Sequence, residues 1–222
     1  GYRDEELARL YDQMFSRLEA VPGVQSVTFS QHPLLAWSST TDSVFMPGVV
    51  GPDGKPLERE AKIHYARENF LQTMEIPLRG GRYLTPQDDT RAPKVAIVNK
   101  IFSLTYFGDQ NPIGKRFSFE ADKPGEIEIV GMAEDAKYTS QREDVEPTVY
   151  VPWRQSLRSM GFTTFEIRTA GDPLTVVSGI RQAVHDVDSN LPVSNIRTQI
   201  DQANETMSME RLFAKLLALF GL

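Results

Sequence analysis

The chain has 222 residues, 40% of them hydrophobic and 24% charged, which is enough for one large domain or two small ones around a real core. A formal net charge of -6, with Lys115-Arg116 as the one adjacent basic pair, argues against a nucleic-acid footprint. There is no cysteine, which removes disulfides, cysteine-based metal sites and thiol catalysis together.

In chain order, Leu7, Leu10, Tyr11, Met14 and Leu18 recur at helical spacing and predict an amphipathic helix over Asp4 to Ala20. Pro22-Gly23 ends it. VQSVTFS then alternates Val27 and Phe29 against polar neighbours, as a half-buried strand does. Gln31 to Glu60 reads as loop-rich, with PDG as a turn signal. It contains LLAWSS, whose Leu34, Leu35 and Trp37 are a candidate partner contact; the same stretch reads equally as a loop folded back on the core.

REAKIHYA reads as a strand, and ENFLQTMEIPLRGGRYL as a short helix, an apolar element and a Gly-Gly turn. KVAIVNK is a buried strand, IFSLTYFG a helix, and RFSFEA, IEIVGMAED and TVYVPW are further strands. A mostly β subdomain is expected at about 69–145, inserted within the first. TTFEIRT alternates Phe165 and Ile167 inward with Thr164, Glu166 and Arg168 outward. Asp172 caps a helix that has Pro173 at its first position and Leu174, Val177, Ile180, Val184 and Val187 as its stripe. NLPVSNIRT follows as turn and strand. Two strand–helix–strand units at opposite ends predict a pseudo-symmetric α/β domain closed by both termini, with Asp4 to Ser30 packed on Phe162 to Thr198.

The last stretch, ERLFAKLLALFGL, has Lys215 as its one charge from Leu212 onward. Leu212, Leu216 and Leu219 share one helical face, and Phe213, Leu217 and Phe220 share another. Each Leu or Phe side chain left in water forgoes roughly 1.5–3 kcal/mol. These six therefore read as a membrane junction, with 211–222 the start of a truncated transmembrane helix; a helix folded back on its own domain is the other reading.

The candidate chemistry is thin. NPIGKRF has Asp109 where a Walker loop needs its first Gly, and Arg116 where it needs Ser or Thr. It reads as a turn with Lys115 and Arg116 solvated. His32, His64 and His185 stand far apart and form no ligand pair, and Asp88-Asp89 fits a turn or cap better than a cation loop. No Gly-x-Ser-x-Gly, Ser-x-x-Lys or working carboxylate pair stands out. The expectation is therefore no catalytic, cofactor-binding or metal residue, and no enzyme.

Taken in order, ENFLQTMEIPLRGGRYL, KVAIVNK, DQNPIGKRF, EIVGMAED and PTVYVPW resemble the extracytoplasmic core domain of MacB-like ABC transporter permeases, the group with FtsX-type topology. AVPGVQSVTFS, GDPLTVVSGIRQAV, LPVSNIRT and ERLFAKLLALFGL agree at the flanks, so the likeness covers essentially the whole chain. Glu75 departs from it, standing where the family usually has Gly before Ile-Pro-Leu. The resemblance implies an α+β fold with a Porter-like subdomain at 1–68 and 146–210 and an inserted Sabre-like subdomain at 69–145. It implies a periplasmic domain of a bacterial inner-membrane permease, working in transport or efflux. Its partners would be a second permease copy, an ATP-binding subunit or domain, and a periplasmic adaptor or substrate. A soluble domain holding a small ligand in the cleft between subdomains is the alternative.

Overall fold

The computed structural model describes residues 4–32, 39–137, 144–157, 163–205 and 207–208. Helix α1 (Asp4–Glu19) buries Met14 and Leu18 of its predicted stripe, leaves Leu7, Leu10 and Tyr11 half-buried, buries Phe15 besides, and turns at Pro22-Gly23 into β1 (Val24–Ser30). Gln31 to Glu60 departs from its reading as a loop. Strands β2 (Thr40–Val50) and β3 (Pro56–Ala66) form a long antiparallel hairpin, closed where Gly51 N–H donates to the Lys55 carbonyl at 2.8 Å. The register shifts between Phe45 and Val50, so Pro47-Gly48 marks an irregularity inside a strand and not the end of one.

Short α2 (Phe70–Thr73) leads to β4 (Leu78–Gly81), and β5 (Val95–Asn99) leads directly into α3 (Lys100–Phe107). Buried Asn99 makes that join. Its Oδ1 accepts from Phe102 N and Thr148 N, each at 2.9 Å, so one side chain caps the helix and ties it to the next strand. Strands β6 (Arg116–Phe117), β7 (Ile127–Ala133) and β8 (Thr148–Pro152) follow, then β9 (Thr164–Thr169) and α4 (Val177–Val187). Asp172 caps as expected, accepting from Leu174 N at 2.9 Å, but Pro173–Val176 is a 3-10 turn ahead of the α-helix. Residues 191–198, predicted to hold a strand, carry none, and Pro192 has no N–H for a ladder.

The strands make one mixed sheet in the order β4-β7-β5-β8-β3-β1-β9, with β2 on β3 and β6 on β7. It curls until β2 meets the residue after β6: Phe45 and Ser118 exchange hydrogen bonds of 2.9 and 3.0 Å. A ring of β3, β2, β6, β7, β5 and β8 results. The apolar residues of β5 and β8 are buried on both faces, as a central strand requires. The ribbon β1–β9 hangs from this ring. Among the described residues β1 joins β3 through one register pair, Ser30 with Ala66. Helix α1 packs on β1 and against α4, and the buried residues of both helices join the ribbon's apolar face in one cluster. Phe29 of β1 stacks on Phe15 and Tyr11 at 5.4 Å each and meets Trp153 edge-on at 5.4 Å. The overall class is α+β.

Candidate functional site

The ribbon has two unlike faces. Val27, Phe29, Phe165 and Ile167 point at the helices and join the main apolar cluster. The register pairs Ser26 with Arg168, Thr28 with Glu166 and Ser30 with Thr164, so the opposite face is polar along its whole length. Alternation predicts this split. It also predicts solvent on the polar side, and there the structure differs: Thr28 and Ser30 are fully buried, and the Glu166 carboxyl is enclosed although its stem keeps some exposure.

The Ser26–Arg168 end of this face is covered by α2 and its flanks. Asn69 Nδ2 donates to the Val27 carbonyl at 3.0 Å, and Arg67 Nη1 donates to the same carbonyl at 2.7 Å. Ser26 Oγ and Thr73 Oγ1 lie 2.6 Å apart. Arg168 donates from Nε to the Thr73 carbonyl at 2.9 Å and from Nη1 to Glu75 Oε1 at 2.6 Å. Glu75 has φ +56°, which explains why a Gly is usual there and shows what the departure supplies, a carboxylate for Arg168.

Ser30 is the busiest group on this face. Its Oγ lies 2.6 Å from Glu166 Oε1 and 2.7 Å from the His32 carbonyl oxygen. Burial pushes the Glu166 carboxyl up to about 8, with hydrogen bonds from Ser30 and the backbone opposing only in part. His32 leads toward the candidate contact; its Nε2 lies 2.8 Å from Thr40 Oγ1 across the base of that segment. Leu34, Leu35 and Trp37 themselves lie outside the described residues, as do Leu212, Phe213, Leu216, Leu217, Leu219 and Phe220.

The other sequence candidates take structural places. Lys115 closes a turn, its N–H donating to the Pro112 carbonyl at 3.0 Å and its Nζ to Gln110 Oε1 at 3.1 Å. His64 is stacked between Phe70 and Tyr150, and burial lowers its pKa to about 3, so it is neutral. Asp88 takes both arms of Arg82 at 2.8 Å each and accepts from Thr85 N at 2.8 Å. Burial alone would raise this carboxyl, but those donors hold it below the usual carboxylate range. Among the described residues no three His, Asp or Glu side chains gather as metal ligands, and no helix is long and apolar enough to cross a membrane. An open groove between α1 and the end of α4 is lined by charged and polar side chains such as Glu6, Arg9, His185 and Asp186 together with Leu10 and Val187.

No curated protein sequence matches the chain. Among solved structures, it is similar to the periplasmic region of MacB from Actinobacillus actinomycetemcomitans, at 17% identity over 79% of this chain and 73% of that one, with a TM-score of 0.55. It is also similar to the extracellular domain of the noncanonic ABC-type transporter YknZ from Gram-positive bacteria, at 16% identity over 79% and 82%, with a TM-score of 0.53. At such identities the likeness concerns the fold. The sequence match is what carries kinship: the model of the family described as MacB-like periplasmic core domain matches residues 3–202, and this chain belongs to that family, the periplasmic domain of MacB-like ABC transporter permeases.

Proposed function

We propose that this domain is a non-catalytic mechanical module, coupling ATP-driven motion of a transmembrane permease to export of a substrate or to a periplasmic partner. The observation that carries the reading is the meeting of two helices far apart in the sequence, α1 and α4. Helices α1 and α4 pack on each other, and their buried side chains share one apolar cluster with Val27 and Phe29 of the ribbon, so movement delivered through either helix reaches the sheet as one displacement. The partners are then a second permease copy in the membrane, an ATP-binding subunit or domain, and a periplasmic adaptor or substrate. Within this reading, 1–68 and 146–210 act as a Porter-like base and 69–145 as a Sabre-like insert. Leu34, Leu35 and Trp37 serve as a partner contact, and Leu212, Phe213, Leu216, Leu217, Leu219 and Phe220 as the membrane junction.

The test uses the full transporter in membranes. Asp53, exposed at the tip of the β2–β3 hairpin, is replaced by Cys and spin-labelled, and the distance between the two copies is measured with and without ATP. An ATP-dependent change supports coupling, and an unchanged distance in a transporter that hydrolyses ATP overturns it. The non-catalytic part is tested separately on this chain alone. No ATP turnover is expected, and turnover abolished by Lys115→Ala would refute that part.

A further inference from the structure

The Ser30 hydroxyl owns one hydrogen and stands between two acceptors, Glu166 Oε1 at 2.6 Å and the His32 carbonyl at 2.7 Å. Both separations are those of O–H···O hydrogen bonds. A carbonyl has no hydrogen to give, and an ionised Glu166 has none either. With Glu166 ionised, one of the two contacts would be two oxygens pressed together without a proton. A protonated Glu166 balances the count: it donates to Ser30 Oγ, and Ser30 donates onward to His32. The second carboxyl oxygen, Oε2, is enclosed and has no hydrogen-bond partner among the described residues, an environment a neutral acid tolerates and a carboxylate does not.

The position of this chain of bonds gives it consequence. Ser30 is also the residue whose backbone pairs with Ala66, the one register pair joining ribbon to ring among the described residues. We propose that Glu166, Ser30 and the His32 carbonyl form a proton-held latch at the seam between the β1–β9 ribbon and the ring, closed while Glu166 carries its proton and opened when it ionises. Upon ionisation the Ser30 hydrogen turns to the carboxylate and away from the His32 carbonyl.

The other charged and titratable groups on the elements around the latch do not compete for this proton. Arg168, two residues along β9, is engaged by Thr73 and Glu75, and Arg67 by Glu19 and the Val27 carbonyl. Glu68 lies 3.6 Å from Arg67. His32 and His64 are both lowered from 6.5 by burial and are neutral in the range where the latch opens. Lys62, farther along β3, pairs with Glu146 at 3.3 Å.

The test is NMR of this chain labelled with carbon-13, followed from pH 5 to pH 9.5. The Glu166 side-chain carboxyl carbon should titrate near pH 8, and the His32 backbone carbonyl should shift with the same midpoint. In Glu166→Gln the amide donates to Ser30 as the acid does, so the His32 carbonyl should stay fixed over the whole range. In Ser30→Ala it should be fixed at the open position. A Glu166 that titrates below pH 6, or a His32 carbonyl that moves alike in wild type and Glu166→Gln, overturns the latch. The wild-type titration alone decides the matter if a variant fails to fold.

Discussion

The two ends of the sheet each enclose a carboxyl group and treat it in opposite ways. Beside β4, Asp88 is answered by a guanidinium and two Thr85 donors, and it stays ionised. Beside β9, Glu166 is answered by the Ser30 hydroxyl and by backbone hydrogen bonds at Ser30 and Glu166, with no guanidinium among them, and burial raises it. The donor count accounts for the difference: desolvation disfavours charge at both places, and charge survives only where enough donors replace water. The signs of the pH dependence are therefore opposite. Asp88 is lowered, so its contribution is complete above the ordinary value of 3.8 and is lost as pH falls below it. Glu166 is raised, so its folded form keeps a proton the unfolded chain gives up near 4.5, and stability falls as pH rises from there to about 8.

The harshest way to break the comparison lies at the β4 end. Gly81 has φ +77°, and a Cβ there would stand 2.2 Å from the Val130 carbonyl oxygen, a backbone atom that cannot swing aside. Gly81→Ala should cost on the order of 3 kcal/mol or more, read as a lowered urea midpoint. Next comes Asp88→Asn, which keeps the shape but gives up charge-assisted bonds. A loss of about 2 kcal/mol at pH 7, shrinking as the pH falls below 4, is expected in acid titration of the melting temperature. At the other end, Glu166→Gln should flatten the fall in melting temperature between pH 5 and pH 8. A parallel fall in wild type and variant would remove Glu166 as its source. The smallest effect is expected at Glu75→Gly. Release from φ +56° is opposed by the loss of the Arg168 pair and by a more flexible unfolded chain, so the urea midpoint should move by less than about 1 kcal/mol in either direction.

Much of this fold is legible in the residues because its periodicities are strong. The α1 stripe, the apolar run VAIVN, the alternation of β7 and the Asp172 cap each have one easy local solution. The β2–β3 hairpin is not legible in the same way. Its outer half is exposed and unpatterned, and Pro47-Gly48 punctuates it as a loop would. The Glu166 site fails to show for a different reason. Alternation along TTFEIRT tells which residues share a face, but only the tertiary arrangement sets α2 against the Arg168 end of that face and encloses the Glu166 carboxyl farther along it. The hydroxyls at Ser26, Thr28 and Ser30 were the available hint, since small hydroxyls suit a covered polar surface better than open water.

Trp153 follows β8 in the ring and touches Tyr11, Phe15 and Phe29 of the covering helix and the ribbon. It is almost fully buried, its indole N–H has no hydrogen-bond partner among the described residues, and the Arg154 guanidinium lies 4.5 Å from its ring centroid. Indole emission follows the polarity and the nearby charge around the excited ring. With Trp37 replaced by Phe, this side chain is consequently a built-in optical gauge of the seam: motion that parts ribbon from ring admits water to it and carries its fluorescence toward the red, with no label added to the molecule.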